Sequence, residues 1–122
     1  SGKECLQINV KDNSAFGSFV QIPAVDGTIE KIEVTIREPY KGRAIGIFPV
    51  GYTYTKDTLD KMKEQLAKDA IAISNETPSD VNNNEPFTFV IDNLSAKNLT
   101  QFSIFPTLGA VSITAITVTY SK

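Results

Sequence analysis

The sequence predicts a mainly β fold, an antiparallel two-sheet β-sandwich with one amphipathic helix. Three observations point there. Most of the chain alternates apolar and polar residues with a period of two, as half-buried strands do. Clusters of Gly, Pro, Asn and Asp punctuate it at short intervals. One pattern, Ile-x-x-Ile-x-Val-Thr, is written twice, at 29–36 and at 113–120. Short strands joined by such turns favour a sandwich.

Taken in order, about seven strands are predicted, near 5–11, 17–23, 28–37, 43–49, 86–92, 99–105 and 110–120. In "CLQINVK", Leu6, Ile8 and Val10 share one face and Gln7, Asn9 and Lys11 the other. Phe87, Phe89 and Ile91 do the same in "PFTFVID". Cys5, the chain's one cysteine, excludes an internal disulfide and reads as a small buried or half-buried apolar residue. Turns are expected at "KDNS", "VDG", "EPYKG", "DNLSAKN" and "TLG".

One segment departs from the two-residue period. Leu59, Met62, Leu66, Ala70 and Ile73 step by three or four, the stripe of an amphipathic helix. The helix is predicted over about 57–71, laid on one end or edge of the sandwich. Asp57 or Thr58 supplies its cap and Asp60 complements its first turn. Glu64 and Lys68 stand in the favourable i,i+4 order on its solvated face. The polar stretch 74–86 that follows has no apolar period, and loops of this length are often functional or mobile.

Each copy of the repeated strand follows Phe, then Pro, then Gly: "FVQIPAVDGTIEKIEVTI" and "FSIFPTLGAVSITAITVTY". Each unit therefore reads as a strand, a Pro/Gly turn, and a second strand returning antiparallel to the first. Both second strands contain a three-residue step, Ile29 to Ile32 and Ile113 to Ile116, inside a two-residue alternation. One extra residue at the same point of each predicts a β-bulge. The two strands should then occupy equivalent places in the halves of a pseudo-symmetric sandwich. Lys31, Glu33, Thr35 and Arg37 alternate with the buried set and are expected on an exposed face.

Composition narrows the function classes. A chain of 122 residues suits one domain, taken here as 1–122, and 41% hydrophobic with 21% charged residues is ordinary for a globular protein. The opening "SGKE" reads as a trimmed or engineered N-terminus, with Ser1-Gly2 as added residues. No apolar run approaches the roughly 20 residues of a membrane-spanning helix, so no membrane insertion is expected. The net charge is −2 and the twelve Lys and Arg are interleaved with acids, which argues against a nucleic-acid partner.

Catalytic motifs are scarce. Without histidine there is no Ser-His-Asp or Cys-His nucleophile system, and most zinc sites are excluded. No phosphate-binding glycine loop occurs. Fourteen acidic residues leave a paired-carboxylate glycosidase formally open, but such enzymes usually need a deep cleft. The chain is therefore expected not to be an enzyme and to need no cofactor. Asp80, Asn82, Asn84 and Glu85 offer hard oxygen atoms to calcium, but their spacing is not that of an EF-hand and a solvated loop is favoured; no metal site is expected.

Carbohydrate recognition combines aromatic rings with planar polar side chains. The sequence has no Trp, but Tyr40 and Arg43 share a turn, and Tyr52 and Tyr54 share a face if their segment is extended. These four are the candidate ligand contacts. The two pairs flank the strand at 43–49 at opposite ends and need not form one site. The plainer alternative has the tyrosines covering core edges with their hydroxyls in water.

The order "GSFVQIPAVDGTIEKIEVTI", a mid-chain insertion, "EPFTFVIDNLSAKNLTQFSIFP" and a closing "VSITAITVTYSK" resembles the galactose-binding-like jelly-roll modules of bacterial secreted and cell-surface proteins. There, a strand ending in Pro leads through a Gly turn into an I-x-K-I-x-V strand, and the module closes on I-x-x-I-x-V-x-Y. The resemblance covers 15–37 and 85–122; the stretch 38–84, with its helix, lies outside the pattern. It implies a jelly roll, an extracellular or cell-surface location, and in many members a sugar site in loops at one end. The matching positions are core and turn residues, so no binding residue carries over. The expected function is a non-catalytic carbohydrate-binding module whose partner is a glycan. The competing expectation is a structural or protein-interaction domain, adhesin-like or a spacer, that meets a surface protein.

Overall fold

A computed structural model describes residues 3–11, 15–55 and 57–122. Its strands are β1 (Lys3–Asn9), β2 (Val20–Gln21), β3 (Thr28–Arg37), β4 (Ile45–Phe48), β5 (Ala72–Ile73), β6 (Phe87–Ile91), β7 (Ser103–Pro106) and β8 (Ser112–Ser121). Helix α1 spans Leu59–Asp69, and a single 3-10 turn spans Ser95–Lys97. The first sheet has the order β1-β8-β3-β6 and the second β2-β7-β4-β5. All the pairings are antiparallel. Strand numbers in the pairs β1·β8, β2·β7, β3·β6 and β4·β5 each add to nine, the signature of a long hairpin rolled into a two-sheet jelly roll. The predicted class is the observed one.

The eighth strand is β5, which lies just past the predicted helix end at about 71 and is absent from the predicted strands. The stripe Leu66, Ala70, Ile73 keeps a helical step past the helix end. The Ala70 backbone turns extended, however, and the Ile71 N–H bonds to the Ile47 carbonyl at 2.8 Å, which converts the chain into a strand beside β4. At the other end Thr58 is the cap, its hydroxyl accepting the Lys61 N–H at 3.2 Å. The stripe is narrower than predicted. Leu66 is fully buried, while Leu59 and Ile73 face outward, and Glu64 and Lys68 do not close into an ion pair.

The repeated strands are β3 and β8, and they pair with each other in the middle of the first sheet. Each residue of the first copy corresponds to one 84 positions later. The register matches Ile32 with Val118 and Val34 with Ile116, so the copies exchange about a local two-fold axis through Glu33 and Thr117. Both predicted bulges are present. The ladder passes over Glu30 in β3 and over its counterpart Thr114 in β8. Ile29, Ile32, Val34 and Ile36, with Ile113, Ile116 and Val118, all point into the main core.

One expectation is corrected. The Pro/Gly link of each unit does not fold a hairpin. It carries the chain from the second sheet to the first, so β2 and β7 do not pair with β3 and β8 across their turns but with each other. Proline breaks a ladder whether the chain turns back or crosses over, which is why local sequence did not separate the two outcomes. The same two-fold relates β1-β2-β3 to β6-β7-β8. The segment β4-α1-β5 has no counterpart.

Outside the core, alternation behaves as predicted on β1 and β6. Cys5 is a correction: it is exposed, on the face opposite Leu6 and Ile8, with Sγ 3.8 Å from Thr119 Oγ1. The outward set on β3 is paired with neighbours. Lys31 lies 3.7 Å from Glu33, and Thr35 and Thr88 share a hydroxyl hydrogen bond at 3.0 Å.

The second sheet is covered on both faces. Ile45, Ile47 and Ile104 face the main core, while Phe48 and Phe105 face the other way into a second cluster under Leu66, Tyr52, Tyr54, Phe16 and Ala70. The helix thus roofs a sheet face, not an end or edge as expected. Gly46 lets it approach: a Cβ there would stand 3.0 Å from both Phe48 Cε1 and Thr107 Cγ2 and 3.4 Å from Ala70 Cβ. Each fully buried Ile, Leu or Phe contributes roughly 1.5–3 kcal/mol over an exposed one. The small second cluster is therefore a substantial share of a domain's net stability.

Candidate functional site

The four sequence candidates fall in two separate places. Tyr40 and Arg43 lie in the turn between β3 and β4, at one end of the sandwich. They line a cleft of about 230 Å³ with Ile36, Arg37, Glu38, Val111 and Ser112. The sequence placed Tyr40 and Arg43 together. It could not show that residues 110–112, arriving from the β7–β8 turn, close the opposite wall.

This turn is held by the polar loop 74–86. The buried Thr77 hydroxyl donates to the Tyr40 carbonyl and accepts the Arg43 N–H at 2.9 Å. The Thr77 N–H reaches the Arg43 carbonyl at 2.8 Å, and Asn83 Nδ2 donates to the Pro39 carbonyl at 3.4 Å. The loop's role is to brace this turn. Glu38, at the start of the turn, has φ 48°, an unusual left-handed conformation for a residue with a long side chain. Its carboxylate accepts a hydrogen bond from Arg37 Nη1.

Tyr40 is 60% exposed, although its carbonyl is fixed. Arg43 is half-buried, and its Nε donates to the Ala110 carbonyl at 3.1 Å. Its Cζ lies 5.8 Å from the Tyr40 ring centroid, within cation–π range. The close approach of Arg43 to the β7–β8 turn depends on Gly109, where a Cβ would stand 3.0 Å from both Arg43 Cζ and Nε. The cleft thus presents an exposed ring, an anchored guanidinium and a short apolar floor.

Tyr52 and Tyr54 go elsewhere. A turn at 49–52, with Gly51 at φ 87°, sends them back over the outer face of the second sheet. They do share a side, with ring centroids 6.3 Å apart, but both pack edge-on against Phe105. Their hydroxyls are not in water. Tyr52 donates to Asp69 Oδ2 and Tyr54 to the Gly17 carbonyl, each at 2.7 Å. Burial raises the phenol pKa of both above the ordinary tyrosine value, and the Asp69 carboxylate raises that of Tyr52 further. A shallow cleft of about 260 Å³ joins them to Phe19 and Gly17. Phe19, 54% exposed and stacked on Phe105 at 5.2 Å, is a surface aromatic just before β2, although the sequence predicts a strand over 17–23.

The 80–85 loop uses its own oxygen atoms. Asn82 Oδ1 accepts the Asn84 N–H at 2.9 Å, and the Asn82 carbonyl accepts the Glu85 N–H at 3.1 Å. Among the described residues no three Asp, Glu, Cys or His side chains gather as metal ligands. Among the same residues no helix is long and apolar enough to cross a membrane.

The architecture defines a jelly-roll β-sandwich with a cleft among its end loops. No protein-family model matches the chain, and no curated protein sequence does. Among solved structures it is similar to a chain from Bacillus endospore appendages, described as disulfide-linked pili. The TM-score is 0.41, with 14% identity over 99% of this chain and 91% of that one. It is also similar to the coat protein of Tobacco streak virus, with a TM-score of 0.49 and 10% identity over 98% of this chain and 86% of that one.

Proposed function

We propose that this chain is a non-catalytic recognition module, extracellular or at the cell surface, that binds carbohydrate in the Tyr40–Arg43 cleft. The observation that carries this reading is the juxtaposition of an exposed tyrosine face and an anchored guanidinium across one concave end of the sandwich. A sugar ring offers apolar C–H faces to the first and hydroxyls to the second. The likeness of its core and turn pattern to galactose-binding-like modules supports the same reading. Among the described residues the cleft's one carboxylate is Glu38, engaged by Arg37, whereas glycoside hydrolysis uses two working carboxylates. Tyr52 and Tyr54 serve as structural roof and drop out as ligand contacts.

A glycan array with the intact chain tests the proposal, with Tyr40→Ala as the control. Binding at millimolar or lower concentration that disappears in the variant supports it. No binding to any glycan removes it.

Phe19 favours a second reading, a protein-interaction surface. It stands exposed immediately before β2, an edge strand of the second sheet, beside the mostly apolar cleft of Tyr52 and Tyr54. On that reading Phe19→Ser abolishes cross-linking to a surface protein. On the carbohydrate reading the same change leaves glycan binding intact.

A further inference from the structure

We infer that the Tyr40–Arg43 cleft selects sugars that carry a carboxylate, an inference that rests on the carbohydrate reading above and narrows it. Arg43 has hydrogen-bonding capacity that folding leaves unspent. A guanidinium has five N–H donors in a rigid fork. Nε–H is committed to the Ala110 carbonyl at 3.1 Å, which fixes the plane of the group. Nη1 reaches the Lys41 carbonyl only at 3.5 Å, too long for a strong bond. The outer edge of the fork, formed by the two terminal nitrogen atoms, keeps most of its donor capacity.

The charge of Arg43 is also unanswered. Among the described residues it has no carboxylate within ion-pair distance, whereas Arg37 in the same cleft is paired with Glu38. Among the described residues the charged groups lining the cleft are Arg37, Glu38 and Arg43, one more cation than anion. A half-buried cation of this kind is less well hydrated than a surface lysine, so an oxyanion gains more by meeting it. A carboxylate fits a guanidinium edge in a bidentate pair, while a neutral hydroxyl offers a single acceptor. Tyr40, with its ring within 6 Å of the guanidinium, is placed for the sugar ring that bears the acid.

Gly109 and Ala110 are therefore positioning residues for this contact, although neither need touch the ligand. Their turn holds the Arg43 side chain in place, and any side chain at Gly109 crowds it.

The test is calorimetric titration of the intact chain with trigalacturonic acid, its fully methylated ester, sialyllactose and lactose, at two salt concentrations. The acid should bind at least about tenfold more tightly than its ester, as expected for a charge-assisted pair over a neutral one. That advantage should shrink in high salt and vanish in Arg43→Gln. Gly109→Ala, which retains the charge but displaces it, should weaken acid binding while leaving the ester unchanged. Sialyllactose over lactose repeats the comparison on another skeleton. Equal affinity for acid and ester overturns the charge selection and leaves the carbohydrate reading standing. Failure of all four sugars, together with a blank glycan array, removes both. Unchanged acid binding in a folded Arg43→Gln variant also overturns the inference.

Discussion

The pair Tyr52 and Tyr54 and the pair Tyr40 and Arg43 looked alike in sequence, as polar aromatic clusters flanking one strand. In the structure they do opposite work. Tyr52 and Tyr54 spend their rings on Phe105 and their hydroxyls on Asp69 and Gly17, so nearly all their bonding capacity is internal. Tyr40 leaves its ring exposed, and Arg43 leaves half its fork unengaged. A candidate binding residue is thus better judged by what remains unsatisfied after folding than by its type.

The comparison can be broken most decisively at Phe105, which lies beneath both roof tyrosines. Phe105→Ala should lower stability by roughly 3–5 kcal/mol in urea unfolding, the usual cost of emptying a buried phenylalanine site. Tyr40→Ala should stay within about 0.5 kcal/mol of the parent, as exposed substitutions do. Comparable losses in the two variants would erase the distinction between roof and cleft.

A smaller effect isolates one hydroxyl. Tyr52→Phe keeps the ring on Phe48 and Phe105 but removes the bond to Asp69, and should cost about 1 kcal/mol in the same assay. Alkaline titration sharpens this further. The folded state holds the Tyr52 proton more tightly than the unfolded chain does. Its contribution is complete below the unfolded tyrosine pKa of about 10 and is lost as pH climbs from there toward the folded value. Stability should therefore fall above about pH 10, with a shallower slope in Tyr52→Phe. Equal slopes would show that the hydroxyl is not held as described.

Much of this fold was legible because alternation is a local property. The inward faces of β1, β3, β6 and β8 follow from residue parity, and the shared three-residue step located both bulges to Glu30 and Thr114. The crossing of the Pro/Gly links from sheet to sheet was not legible, since Pro23 and Pro106 interrupt pairing equally in either topology. Strand β5 was lost because Ile73 continues the helical step of Leu66 and Ala70. The site was readable to the extent that Tyr40 and Arg43 are neighbours in sequence. Its other wall depends on Gly109 and Ala110, which meet Arg43 only because β7 lies against β4. Likewise, nothing local announces that Tyr52 and Tyr54 will find Phe105 from another strand. The exposure of Cys5 could have been taken from parity, since it alternates with the inward Leu6.

The register of β1 on β8 has one more consequence. Lys3 lies opposite Ser121, while Ser112, at the far end of the same ten-residue strand, borders the Tyr40–Arg43 cleft. At about 3.3 Å per residue, the two tips of that strand stand about 30 Å apart. A tether joined near either terminus would therefore leave from one pole of the body and hold the opposite pole outward, with the cleft facing whatever drifts past.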